Sequence, residues 1–111
     1  MAENEYALEY LPAAVNDLTE IVSTYLMLEY EEGAKRIKNK LMKSTKRIQF
    51  MPYSGTVVLD KKMAQFGFRM VVIEKYLMFY KVFEEDKKVV IYRILNGKTN
   101  YPALMNKLYS E

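Results

Sequence analysis

The side chains best suited to chemistry in this sequence are arginines and tyrosines on neighbouring strand-like segments. In the strand register that the sequence suggests, Arg69 faces Tyr80 and Tyr92 across a sheet. A guanidinium beside two phenols could stabilise a developing anion and assist proton transfer. The same three residues also suit ordinary cross-strand packing, which is the commoner use of such residues. The pattern is therefore compatible with a catalytic triplet and with a structural one.

A second arginine lies on the last of these segments. In the same register Arg93 pairs with Phe79. It could bind a phosphate or a target protein, or it could stack on the aromatic ring as a structural cation. The sequence leaves both interpretations open.

The chain has no cysteine and no histidine. Disulfides, thiolate metal sites and cysteine nucleophiles are therefore excluded, and the commonest general base and metal ligand is missing. No cluster of carboxylates in the sequence replaces them as a metal site. We therefore expect no metal and no cofactor.

Three strand-like segments must position these side chains. They are rich in β-branched, aromatic and long apolar residues, and they end at Ile73, Phe83 and Leu95. Only Glu74 and Lys75 separate the first two, which leaves room for a two-residue loop, although the glycine or asparagine that such loops favour is missing. A charged turn, Glu84 to Lys88, separates the other two. The pattern predicts an antiparallel meander in which Ile73 pairs with Tyr76 and Phe83 with Val89.

The residues before and after the meander predict one more strand and three helices. Glu5 to Tyr10 is typical of a short strand, and Pro12 suits the first turn of a helix. Gly33 is expected to end that helix, and a second helix over about Ala34 to Ile48 should pack antiparallel to it. Tyr101 to Leu108 predicts a short terminal helix. The sequence therefore predicts an α+β fold, in which an antiparallel helical hairpin packs on the sheet.

The expected register divides the meander between two faces, and both are largely apolar. One face is expected to hold Phe68, Met70, Val72, Leu77, Phe79, Lys81, Ile91, Arg93 and Leu95. The other is expected to hold Arg69, Val71, Ile73, Met78, Tyr80, Val82, Val90, Tyr92 and Ile94. The helical hairpin can cover only one of these faces. The terminal helix or a partner protein must therefore cover the other.

Length and hydropathy favour a single domain over residues 1–111, because 111 residues can bury one core. The apolar segments are far too short to cross a bilayer, and the acidic start from Ala2 to Glu5 is unlike the basic region of a signal peptide. We therefore expect a cytoplasmic protein with no membrane contact.

The charges are distributed unevenly along the chain. Residues 1–33 hold eight acidic and no basic side chains, whereas residues 34–111 hold seventeen basic and six acidic ones. The basic part suits an anionic partner, either nucleic acid or an acidic protein segment. Alternatively, the acidic first helix simply complements the basic second helix, and both statements can hold together.

Four segments, taken in this order, resemble the RelE/ParE superfamily of bacterial type II toxin–antitoxin toxins. They are Glu9 to Ala14 followed by Asp17-Leu18, the loop Phe50 to Gly55, the strand Tyr76 to Val82, and Arg93 to Lys98. Together they span nearly the whole chain. The resemblance implies a toxin with the fold described above, neutralised by a cognate antitoxin, either as a homodimer or as a toxin–antitoxin hetero-oligomer.

The superfamily contains ribosome-dependent mRNA endonucleases, which are RelE-like, and inhibitors of DNA gyrase, which are ParE-like. RelE-like enzymes use lysines, arginines and a tyrosine to cleave RNA. When the meanders are aligned, those basic positions fall on Phe68, Met70, Leu77 and Thr99, none of which is basic. The resemblance therefore implies a ParE-like toxin that binds a target such as DNA gyrase and is not an enzyme.

Two alternatives remain beside this interpretation. The first is an mRNA endonuclease that uses some of Arg69, Lys81, Arg93 and Lys98. The second is a non-toxic member that only binds a protein partner.

The resemblance also suggests where partners bind. The candidates for binding the target or the antitoxin are Arg93, Lys98, Tyr101, Leu104, Met105 and Leu108. In this family the antitoxin occupies a hydrophobic surface next to the sheet. The three aliphatic residues are therefore expected to be exposed in the free toxin, and the rival explanation is that the terminal helix docks on its own sheet.

Overall fold

The computed structural model describes residues 4–109, so Ala2 and Glu3 of the acidic start lie outside it. The elements in chain order are β1 Ala7–Tyr10, α1 Pro12–Phe50, a short 3-10 helix Pro52–Ser54, β2 Thr56–Val57, α2 Lys61–Gln65, β3 Arg69–Ile73, β4 Tyr76–Phe83, β5 Lys88–Asn96 and α3 Tyr101–Tyr109. The strands form one sheet in the order β1-β5-β4-β3-β2. Only the β1–β5 pair is parallel among these strands. The predicted α+β architecture is confirmed, and α2 is a helix that the sequence did not predict.

The long element α1 is a helical hairpin rather than one straight helix. A straight helix of 39 residues would be about 58 Å long, whereas the largest dimension of the molecule is 40 Å. The backbone leaves the helical region at Glu29 and Tyr30, which separate a first arm, residues 12–28, from a second arm, residues 31–50. The predicted hairpin is confirmed, but Gly33 does not end the first helix. Gly33 instead leaves room for the turn of the hairpin, because a Cβ atom there would collide with the Cβ of Glu29.

The sheet register agrees with the prediction up to the middle of β4. Ile73 pairs with Tyr76, and Phe79 pairs with Arg93. A bulge then shifts the pairing of β4 with β5 by one residue, so that Phe83 lies opposite Lys88 rather than Val89. A β-bulge inserts one extra residue into a strand, and alternation of residue types does not reveal it.

The bulge also corrects the predicted division of side chains between the two faces. Ile91 pairs with Tyr80 and packs in the core beneath the hairpin. Tyr92 lies on the opposite face, where its ring meets Phe68 edge-on with centroids 5.0 Å apart. The predicted triplet of Arg69, Tyr80 and Tyr92 is therefore not formed.

Two cores lie on opposite faces of the sheet. The first core joins the hairpin to the sheet, and its members include Ile21, Tyr25, Ile37, Leu41, Ile48, Val71, Met78, Tyr80, Ile91 and Ile94. The second core contains Val58, Met63, Phe68, Phe79, Leu95 and Met105. Met63 on α2 and Met105 on α3 are fully buried, and each contributes about 1.5–3 kcal/mol of hydrophobic stabilisation. The second face is therefore covered by α2 and α3 of the chain itself.

The two-residue turn between β3 and β4 is fastened to the hairpin by Glu74. Glu74 has φ +54°, a value that residues other than glycine and asparagine rarely adopt. Its carboxylate accepts hydrogen bonds from Tyr25 at 2.7 Å and Arg36 at 3.1 Å, and it lies 2.9 Å from the Lys40 ammonium. These contacts with Lys40, Arg36 and Tyr25 lower the pKa of Glu74 to about 2. The three contacts explain why the turn forms without glycine or asparagine.

A second carboxylate with the same property lies at the β4–β5 turn. Glu84 accepts hydrogen bonds from Lys87, Tyr6 and Tyr53 at 2.6–2.7 Å. Led by Lys87, these donors lower the pKa of Glu84 to about 2. Glu84 thus connects the N-terminal segment, the loop after α1 and the β4–β5 turn.

We expect the free energy of unfolding to fall as the pH is lowered from 4.5 to 2. Both carboxylates have depressed pKa values in the folded state, so their stabilisation is complete above the unfolded value of 4.5 and is lost as the pH falls through about 2. Urea unfolding at pH 7, 4.5 and 3 measures this slope. The double variant Glu74→Gln/Glu84→Gln should be less stable at pH 7 and show a smaller slope. Equal slopes in the two proteins would contradict the prediction.

Candidate binding and catalytic residues

Arg69 and Tyr80 together hold the loop that precedes β2. Arg69 Nη2 donates hydrogen bonds to the carbonyls of Tyr53 and Gly55, both at 2.8 Å, and its guanidinium lies 5.4 Å from the Tyr53 ring centre. The Tyr80 hydroxyl donates to the Pro52 carbonyl at 2.7 Å and accepts from the Gly55 N–H at 3.0 Å. Burial raises the pKa of Tyr80, so its hydroxyl stays protonated. The geometry gives Arg69 a structural role in this clamp.

We expect Arg69→Ala to lower the free energy of unfolding by about 2 kcal/mol, because two carbonyls lose a charged donor. Arg69→Lys should recover less than half of the loss, since an ammonium cannot stack on Tyr53 and reach both carbonyls together. Guanidinium chloride unfolding measures both changes. Lys98→Ala, in an exposed turn, is the control and should change stability by less than about 0.5 kcal/mol. An Arg69→Ala protein as stable as this control would contradict the assignment.

Lys81 is surrounded by aromatic rings. Its ammonium lies 4.7 Å from the centre of the Phe68 ring, 5.3 Å from Tyr92 and 5.8 Å from Phe66. Burial lowers its pKa, and within residues 4–109 no carboxylate forms an ion pair with it. The rings stabilise the cation in place of a counter-ion.

Arg93 forms a two-pronged ion pair that the sequence did not indicate. Its Nε and Nη2 donate to the two carboxylate oxygens of Asp17 at 2.7 and 3.0 Å. Asp17 also accepts a hydrogen bond from the backbone N–H of Ile94 at 2.9 Å. Ile94 lies beyond the part of β5 that pairs with β1. The side chains of Arg93 and Asp17 are only 18% and 12% exposed. This contact raises the pKa of Arg93 and places it in a structural network that joins α1 to β5.

The other predicted binding residues follow β5. Lys98 is exposed in the turn, where its backbone N–H donates to the Asn96 side chain at 2.9 Å. The Tyr101 ring packs 5.1 Å from that of Phe79.

The aliphatic residues of α3 differ in exposure. Leu104 is partly buried against the second core, Met105 is fully buried, and Leu108 is half exposed. The expectation that all three are exposed is wrong for Met105, because α3 docks on its own sheet. The binding roles of these residues stay predictions.

Three of the four positions that the resemblance aligns with basic residues of RelE-like enzymes are apolar and lie in or against the second core. Phe68 belongs to the second core, and Met70 and Leu77 pack against it. Thr99 lies in the turn before α3. Of the basic candidates, Arg69 binds the carbonyls of Tyr53 and Gly55, Lys81 lies against aromatic rings, and Arg93 binds the Asp17 carboxylate.

Among residues 4–109, no three His, Cys, Asp or Glu side chains are grouped as metal ligands. No helix within residues 4–109 is both long and apolar enough to cross a membrane.

The fold is similar to those of solved toxin structures. A chromosomal ParDE toxin–antitoxin system from P. aeruginosa has a chain with TM-score 0.67 and 21% identity, covering 85% of this chain and 98% of that one. A chain of the RelBE2 toxin–antitoxin complex from Mycobacterium tuberculosis has TM-score 0.56 and 18% identity, and the match covers 83% of this chain and 98% of that one. A mutant of the E. coli toxin RelE in the free state has TM-score 0.64 and 14% identity, and the match covers 94% of this chain and 98% of that one. At these identities the likeness concerns the fold.

Sequence comparison identifies the family. No curated protein matches this chain. A family model for the ParE toxin of the type II toxin–antitoxin system parDE matches residues 8–101, from β1 to the first residue of α3. Because this match spans most of the sequence, the chain belongs to the ParE toxin family and is a toxin of a type II toxin–antitoxin system.

Proposed function

We propose that this toxin arrests growth in the cytoplasm by binding a target protein, DNA gyrase, and does not cleave RNA. The observation that carries the proposal is the apolar second face. Cleavage without a metal needs a base, cations around the phosphate and an acid for the leaving oxygen. Phe68, Met70 and Leu77 occupy the positions where RelE-like enzymes place cations, and α2 and α3 cover this face. Arg69 and Arg93 are engaged in structural contacts on other parts of the fold.

We propose that a cognate antitoxin neutralises the toxin and uses its basic surface. The similar P. aeruginosa and M. tuberculosis structures come from a toxin–antitoxin system and a toxin–antitoxin complex. Among the described residues no ion pair joins the first arm to the second, and Arg36 pairs with Glu29 at the turn and with Glu74. The second arm therefore keeps exposed cations without an ion pair in the described structure, and these are Lys35, Lys38, Lys43 and Arg47. Such a surface suits an acidic antitoxin segment.

The test is a supercoiling assay with purified bacterial DNA gyrase. We expect the toxin to inhibit supercoiling in a dose-dependent way, and we expect co-expression of the small neighbouring gene to restore growth. A toxin that arrests growth but leaves gyrase untouched and cleaves mRNA in a translating extract would overturn the proposal in favour of a RelE-like endonuclease. Normal growth on expression without the neighbouring gene would instead indicate a non-toxic binding member.

A further inference from the structure

The turn of the helical hairpin exposes a small apolar surface. We call residues 26–30 the hairpin tip. Leu26 is half exposed, and the exposed fractions of Met27, Leu28 and Tyr30 are 81%, 71% and 78%. Single exposed apolar residues are common on proteins, whereas several neighbouring ones often mark an interaction site. The hairpin tip is therefore a candidate for a partner contact.

The backbone of Tyr30 gives an independent reason to assign a function to the hairpin tip. Its dihedral angles are φ +60° and ψ −162°, which lie in a region that essentially only glycine occupies. Among residues 4–109, no hydrogen bond or ring contact of the Tyr30 side chain compensates this strain. Strain of this kind is typical of functional positions, where a side chain is held out for binding. Glycine would fit this turn better, yet the chain presents an aromatic ring.

The charges around the hairpin tip indicate the chemistry of its partner. Glu31 and Glu32 follow the apolar residues, are exposed and form no ion pair among the described residues, whereas Glu29 pairs with Arg36 at 2.8 Å. Beside the tip lies a surface hollow of about 210 Å³, whose lining includes Leu28, Glu29, Glu74 and Lys75. An exposed apolar surface with acidic side chains beside it is complementary to an apolar pocket with basic residues at its rim.

We infer that the hairpin tip is a docking surface for the target protein of this toxin, with Met27, Leu28 and Tyr30 inserted into an apolar pocket rimmed by basic residues. This inference rests on the proposed function and names the surface that it would use. Glu31 and Glu32, which form no ion pair among the described residues, disfavour nucleic acid and anionic membranes as partners. A symmetric pair of toxin molecules joined at this tip would place the same glutamates against each other. A few buried aromatic and aliphatic anchors commonly dominate such an interface.

The decisive variant is Tyr30→Gly, because it separates a binding role from a structural one. Glycine relieves the backbone strain, so the midpoint of thermal unfolding should rise by a few degrees, while the amount of toxin needed for half-maximal inhibition of gyrase should increase at least tenfold. Met27→Ser/Leu28→Ser should weaken inhibition similarly at unchanged thermal stability. The matched control is Leu59→Ser, at an apolar residue that is 91% exposed outside the hairpin tip. This control should inhibit gyrase as the wild-type toxin does.

Growth arrest from an inducible promoter gives a second readout that does not depend on which target is bound. Tip variants that arrest growth and inhibit gyrase like the wild-type toxin would overturn the inference. If the wild-type toxin arrests growth without affecting gyrase, the proposed target is wrong, and loss of arrest in the tip variants alone would still support the docking surface. A wild-type chain that causes no arrest would overturn the proposed function and this inference together.

Discussion

Replacing Asp17 by alanine is expected to lower the free energy of unfolding by about 3–5 kcal/mol. Asp17 is the counter-ion of Arg93, and both side chains are largely buried at the junction of α1 and β5. The substitution leaves a charged guanidinium and the Ile94 N–H without their acceptor. Unpaired charges and donors in such a place cost much more than the net contribution of the intact pair. Guanidinium chloride unfolding of the purified protein at pH 7 gives the value.

A double-mutant cycle tests whether the loss comes from the unpaired charge. Asp17→Ala/Arg93→Met removes both charges and keeps much of the arginine's apolar volume, so it should be more stable than Asp17→Ala alone. A loss below about 1 kcal/mol in Asp17→Ala would contradict the structural role of the pair. The result also matters for activity assays, because lost toxicity in Arg93→Ala reports on chemistry only if the variant is shown to be folded.

Phe79→Ala is expected to cost about 3–5 kcal/mol as well, because it opens a cavity in the second core. Phe79 is fully buried beneath α3, and its ring packs on Tyr101. Phe83, on the same strand, is 37% exposed and provides the matched control. Phe83→Ala should cost less than half as much in the same unfolding experiment.

Loss of the Phe79 ring should also loosen α3, and hydrogen exchange can measure this. Because Phe79 and Met105 belong to one cluster, the cavity should weaken the docking of α3 before the whole fold unfolds. Amide protons of α3 should therefore exchange faster in Phe79→Ala than in Phe83→Ala. Equal protection of α3 in both variants would show that the second core does not hold this helix.

The sequence predicts the fold well where local patterns are strong. Alternation in β3 and β4 predicts the pairing of Ile73 with Tyr76, and helical spacing predicts the hairpin. The bulge next to Tyr92 is not predicted, because one extra residue leaves the composition of both strands unchanged. The hairpin turn is placed at Gly33 because glycine commonly ends helices, whereas the backbone turns at the strained Tyr30.

The candidate residues show where sequence reasoning stops. The partners of Arg93 and Arg69 come from distant positions, Asp17 on α1 and the carbonyl of Gly55 in a loop. Such contacts depend on the packing of elements, which no local spacing encodes. Asp17 does lie within the first segment that carries the family resemblance, and this was the one available signal for its importance. The covering of the second face by α3 was one of the two explanations that the sequence left open.

The parallel pairing of β1 with β5 determines when the sheet can be completed during translation. Ala7 on β1 lies opposite Lys88 on β5, so this sheet edge joins segments that are far apart in the sequence. The edge cannot form until both segments have left the ribosome. Chains terminated before Lys88 therefore lack both the strand that pairs with β1 and Arg93, and they cannot complete this edge of the sheet.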